Sequence, residues 1–127
     1  MKVLAIMIAG GFGTLARYGL GLAFKNWFGA SSSFPLATLV INVLGSFILS
    51  WITSLALQNR VSDDWRLLIG TGFCSAFTTF STFELETHAL FVKGANLEGI
   101  IYVLGNLVLG FLAVLLGIFV ARGFSSS

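Results

Sequence analysis

This sequence is short of charge, with Asp, Glu, Lys and Arg making up only 9% of its 127 residues. Soluble domains carry about 25%, and a chain this small has no core large enough to hide its 57% hydrophobic content. A soluble globular fold is therefore excluded, and an overall mean hydropathy of +0.97 agrees. The net charge of +2 is spread over connections rather than clustered, which argues against a nucleic-acid partner. Cys74 is the single cysteine, so no intrachain disulfide can form, and its apolar surroundings read as a small buried hydrophobe rather than a reactive thiol. His88 is the single histidine and has no companion ligand, which points away from a metal site. No phosphate-binding glycine loop, zinc-ligand cluster or Ser/His/Asp set is present, so the sequence does not read as an enzyme.

What is present is long apolar runs. A bilayer core needs about 20 mostly apolar residues per helix. Four spans satisfy this, at about 3–24, 35–57, 67–92 and 99–121, giving an all-α integral membrane protein with one four-helix domain over 1–127. Pro35 marks a helix start, Ser31-Ser32-Ser33 a loop, and Ser125–Ser127 a frayed tail. Lys2 before an apolar run fits a secretory leader, but no small-x-small cleavage site precedes a hydrophilic region, so the first helix is expected to be retained. Four spans place Lys2, Arg60, Arg66 and Arg122 on one side, with Lys25 and Lys93 on the other, joined by Arg17 if it is interfacial. So weak a bias under the positive-inside rule is equally compatible with one fixed orientation and with insertion both ways as an antiparallel pair.

The polar residues inside these spans carry the functional signal. Thr78-Thr79-Phe80-Ser81-Thr82-Phe83 puts four hydroxyls and two rings into six residues of an apolar segment. Lipid does not reward hydroxyls, so such a run is expected to face another helix or a polar passage. At helical spacing Phe80 and Phe83 are neighbours, and Thr79, Thr82 and Glu86 form a second stripe. Asn42 is an amide inside an uncharged span, costly if buried unpaired, that either bonds a neighbouring helix or lines a solvated path; Asn106 is similar and shares a face with Tyr102 and Gly110. Arg17 is the one cation deep in a span; it either snorkels or pairs with a carboxylate, or raises the potential at a pore mouth. Glu84 and Glu86 fit interfacial charges, with Glu86 the better placed to face a passage. Trp27, Trp51 and Trp65 read as interface anchors or packing residues. Gly10, Gly11, Gly13 and Thr14 on the first helix, and Ala113, Gly117 and Ala121 on the last, make small-residue faces that together favour an oligomer.

At these residues the chain resembles the Fluc or CrcB type of fluoride channel, small bacterial membrane proteins, over essentially its whole length. The resemblance rests on Gly10-Gly11-Phe12-Gly13-Thr14-Leu15-Ala16-Arg17-Tyr18, on Thr38-Leu39-Val40-Ile41-Asn42, and on Gly72 through Phe83 followed by Glu86. It implies passive, selective export of fluoride across the bacterial plasma (inner) membrane by an antiparallel, dual-topology homodimer with two pores. It further implies a third helix broken near its middle. Phe80 and Phe83 then match an aromatic box, Asn42 a pore amide, Ser81 and Thr82 path hydroxyls, and Tyr102, Asn106 and Gly110 a polar track. Arg17, Glu86 and Thr38 match positions at a pore mouth or gate. The carbonyls of Ser75 and Thr78 match those that hold a structural sodium ion on the dimer axis. Ser75, Ala76 and Ala37 stand where glycine is common, and Gly110 where some members carry serine. A proton-coupled exporter of the small multidrug resistance type would share the size but needs a carboxylate in the first helix, which is absent. A noncatalytic scaffold would explain the glycines but not the hydroxyl and aromatic run.

Overall fold

The computed structural model describes residues 1–28 and 34–123, so the Ser31–Ser33 loop and the tail at Ser125–Ser127 lie outside the described residues. The helices are α1 (Lys2–Phe28), α2 (Leu36–Leu57), α3 (Asp63–Arg66), a π-helix π1 (Leu67–Cys74), α4 (Ser75–Phe77), α5 (Phe80–Val92) and α6 (Asn96–Gly123). Among the described residues there is no strand. α1, α2 and α6 are each long and apolar enough to cross a membrane. Residues 63–92 make an interrupted pass along the bundle, through α3, π1, α4 and α5. The expected boundaries shift at both ends of the chain: α1 continues through Lys25 to Phe28, and α6 begins at Asn96, three residues before the expected start.

Local chemistry explains the ends. α2 closes with Asn59 at φ 59°, where Asn59 N–H donates to Ala56 O (3.0 Å) and Arg60 N–H to Leu55 O (3.0 Å). α5 closes in the same way, with Gly94 at φ 82°, Gly94 N–H on Phe91 O (3.1 Å) and Ala95 N–H on Leu90 O (2.9 Å). Both are left-handed caps that satisfy orphan carbonyls, using the two residue types that best tolerate that backbone. α3 starts on Ser62, whose hydroxyl accepts from Trp65 N–H, with Asp63 and Asp64 in its first turn where the helix dipole favours acids. Lys2 bonds Asp64 at 3.3 Å, so the start of α1 and the connection after α2 share one end of the bundle.

Two packing units follow. α1 lies against π1 and α4. A Cβ at Gly13 would collide with the backbone of Phe73 and Phe77, and one at Gly72 would collide with Ala9 and Ile6, so both glycines serve close helix approach inside the chain. α2 lies against α6. The face Tyr102, Asn106, Gly110, Ala113, Gly117 and Ala121 is buried, and a Cβ at Gly117 would strike Ser50 and the backbone of Phe47 and Trp51. The small residues of α6 are thus used within the chain and do not by themselves argue for an oligomer. Gly11 and Thr14 remain exposed. The outer faces are apolar: Leu107, Phe111 and Phe119 of α6 and Phe12 of α1 are all more than half exposed, as a lipid-facing surface requires.

Candidate functional site

The site is built where the interrupted pass stops. Thr78 (φ −81°, ψ 157°) and Thr79 (φ −150°, ψ 122°) are extended, so the helical ladder ends at Phe77 and restarts at Phe80. Thr79 is the N-cap of α5: its Oγ1 accepts from Thr82 N–H at 3.2 Å and donates to Thr82 Oγ1 at 3.0 Å. This corrects the expected single stripe of Thr79, Thr82 and Glu86, since Thr79 stands outside the helix that carries the other two. Gly45 on α2 makes room for the break, because a Cβ there would strike the Thr78 methyl.

Asn42 holds the break together. Its Oδ1 accepts from Thr79 N–H (3.1 Å), and its Nδ2 donates to Thr79 O (3.4 Å) and to Asn106 Oδ1 (2.9 Å). Asn106 Nδ2 in turn donates to Tyr102 O at 2.9 Å. The amide of α2 therefore substitutes for helical partners that the extended residues cannot find in their own backbone. Beside it stand the rings. Phe83 is buried, with Phe80 edge-on at a centroid distance of 5.8 Å and Tyr102 tilted against it at 5.4 Å. Tyr102 is sealed from solvent, and its hydroxyl donates to Glu86 Oε1 at 2.8 Å. Thr38 on α2 is buried as well.

The break frees carbonyls on the other side. In a continuous helix each N–H bonds the carbonyl four residues earlier. The donor for Ser75 O would be Thr79 N–H, which goes to Asn42; the donor for Thr78 O would be Thr82 N–H, which goes to Thr79 Oγ1. Ala76 O is met by Arg17 Nε at 3.4 Å. Arg17 thus pairs with the carbonyl end of α4, where the helix dipole favours a cation, rather than with a carboxylate.

These groups line a half-open cavity of about 270 Å³. Its wall includes Asn42, Asn106, Phe80, Phe83, Ser75, Thr78 and Thr79, together with Gly45, Ser46 and Cys74. About 10–15 Å³ of such space is enough to hold one water, so this cavity has room for several. The chain brings Asn42, Asn106, Phe80, Phe83, Ser75 and Thr78 to one cavity. It does not bring Ser81 or Thr82 to that wall, and Tyr102 and Glu86 lie behind Phe83 as a hydrogen-bonded pair. Thr79 as a cap and Ser46 as a wall residue were not anticipated. The cap was legible in Thr79 three residues before a hydroxyl at Thr82; nothing local marked Ser46.

A family profile described as CrcB-like protein, Camphor Resistance (CrcB), matches residues 4–118. Among named relatives, the chain is 45% identical over 112 residues to "Fluoride-specific ion channel FluC 1" of Desulfitobacterium hafniense, covering 87% of this chain and 95% of the relative. It is 42% identical over 110 residues to "Fluoride-specific ion channel FluC" of Oceanobacillus iheyensis, covering 86% and 82%. It is 40% identical over 124 residues to the protein of that name from Thermosipho melanesiensis, covering 97% and 98%. With a profile match through every described helix and relatives of this identity along nearly the full length, the chain belongs to the CrcB-like (Camphor Resistance) protein family.

Proposed function

We propose that this protein is a fluoride-selective channel that lets fluoride leave the cytoplasm passively. The protein is a multi-pass component of the bacterial inner membrane, and its task is transport rather than catalysis. The observation that carries the reading is the cavity in which the Asn42–Asn106 amide pair meets Phe80 and Phe83 beside a helix break. Fluoride is small and strongly hydrated, so a path must replace water's hydrogen bonds without trapping the ion. Amide and hydroxyl donors do the first. The positive edges of two phenylalanine rings attract an anion weakly, and the absence of lysine and arginine from this wall keeps binding shallow. Such a leak protects a cell when external acid drives hydrogen fluoride inward.

In this reading the interrupted pass is a fourth crossing and two opposed copies form the working unit. Phe80 is 71% exposed, and Ser75 is exposed at the cavity. Lipid cannot solvate the polar groups of a half-open cavity, whereas a second copy can cover them and complete a path. Each copy then contributes to two pores, with Ser81, Thr82, Tyr102 and Asn106 along the route and Arg17, Glu86 and Thr38 toward the mouths. The Ser75 and Thr78 carbonyls, whose helical donors are diverted, fit a hard cation such as sodium. Bound there, sodium would supply fixed positive charge near both paths and partners for carbonyls that lipid leaves unpaired.

The test is fluoride efflux from liposomes followed with a fluoride electrode, with chloride efflux in parallel. Rapid fluoride loss with negligible chloride loss is expected. Phe80→Ile and Phe83→Ile should each cut fluoride flux by about tenfold, the worth of roughly one weak ion contact, with the dimer still assembled. Wild-type flux in both variants would contradict the pore assignment.

A further inference from the structure

The cavity does not end at the amide pair. α2 and α6 run parallel, so the pair Asn42–Asn106 is followed one turn later by Ser46 facing Gly110. Ser46 lies on the cavity wall, and it makes no hydrogen bond to any described residue. The other hydroxyls nearby are committed. Thr78 Oγ1 donates to Cys74 O at 2.9 Å and Ser75 Oγ to Gly70 O at 3.4 Å. Thr79 Oγ1 donates to Thr82. Ser50, one turn beyond Ser46, returns its proton to Phe47 O at 3.1 Å, a common fate of a helical serine. An anion needs donors rather than acceptors. Among the described cavity hydroxyls, Ser46 alone has a proton not already given to a neighbour.

Two further features mark this position. A Cβ at Gly110 would come no nearer to Ser46 Oγ than 3.8 Å and would meet no other atom within 4 Å, so the glycine leaves open space in front of the hydroxyl. Ser46 also lies on the wall of a second cavity, of about 440 Å³, that continues between α2 and α6 past Thr53 to Arg122. The hydroxyl thus stands at the junction of the two spaces.

We infer that Ser46 is a fluoride-ligating donor that passes the ion between the Asn42–Asn106 cavity and the groove leading toward Arg122. The inference rests on the channel reading above. With the full-length protein in liposomes, Ser46→Ala should lower fluoride flux about tenfold, the effect of removing one hydrogen bond worth about 1.4 kcal/mol. Ser46→Cys, nearly isosteric but a weak donor, should be slow as well. Adding Gly110→Ser to Ser46→Ala should bring flux back to within about threefold of wild type, because a hydroxyl placed there enters the same space. All variants should elute as wild type on size exclusion. Ser46→Ala or Ser46→Cys at the wild-type rate would overturn the assignment. So would a double variant as slow as Ser46→Ala alone, since the loss would then lie in packing. Wild-type liposomes that retain fluoride would instead sink the channel reading itself.

Discussion

α6 keeps 28 residues in one unbroken helix, whereas residues 63–92 change from α to π to α, stop at Thr78–Thr79 and start again. Both run through the same bundle, yet they use their backbones differently. In α6 the N–H and C=O groups are spent on each other, so only side chains such as Asn106 can act. In the interrupted pass backbone groups become available to other helices: Thr79 N–H and C=O go to Asn42, and Ala76 O goes to Arg17. A continuous helix gives rigidity and an apolar coat. An interrupted one gives polar contacts at mid-bundle, at the cost of requiring partners from elsewhere. The π-helix just before the break belongs to the same departure, since π segments recur where a helix is adapted to a local task.

The sharpest way to break this contrast is to remove the borrowed partner. Asn42→Ala leaves Thr79 N–H and Asn106 Oδ1 without their bonds, and each unpaired buried group costs about 1–3 kcal/mol. We expect a loss of about 2–4 kcal/mol in stability by thermal or denaturant unfolding in detergent, together with near-complete loss of fluoride flux. Asn42→Ala at wild-type stability would mean that the break stands on its own.

A smaller effect separates the two glycine environments of α1. Gly13→Ala drives a methyl into the backbone of Phe73 and Phe77 and should cost about 1–3 kcal/mol. Gly11→Ala meets no atom within 4 Å in the chain and should be neutral or stabilise by up to about 1 kcal/mol through helix propensity. Equal melting shifts for the two would show that α1 does not lean on the interrupted pass as described.

The smallest effect lies at the water-exposed start of that pass. Arg66 Nε bonds Asp63 Oδ1 at 2.7 Å and, with Lys2 adding to it, holds the Asp63 carboxyl below its ordinary value. A carboxyl whose folded pKa is depressed stabilises the protein above its unfolded pKa and loses that contribution as pH falls through the folded one. Asp63→Asn should therefore melt slightly below wild type at neutral pH, and the two curves should converge in acid. The pair is exposed, so the difference should also shrink with added salt. A gap that widens in acid would refute the sign.

Much of this was legible beforehand. Apolar runs located α1, α2 and α6 to within a few residues because helix formation and burial in lipid are both read locally along the chain. The Phe80–Phe83 neighbourhood and the shared face of Tyr102, Asn106 and Gly110 follow from helical period alone. Thr79 was misplaced because helical period was carried across residues that are extended. Arg17 has a carbonyl for its partner, and no side-chain inventory lists carbonyls that a break sets free. Ser46 was passed over because a serine in an apolar run looks the same whether its proton returns to its own helix, as at Ser50, or points into a cavity.

Composition and spacing are enough to show a membrane protein, the course of its long apolar helices and the polar residues within them, since each is a local property of the chain. Which polar atoms are spent and which stay free emerges from packing. That depends on contacts such as Asn42 to Thr79, made between residues 37 apart in the chain, whose geometry exists only once the helices are packed.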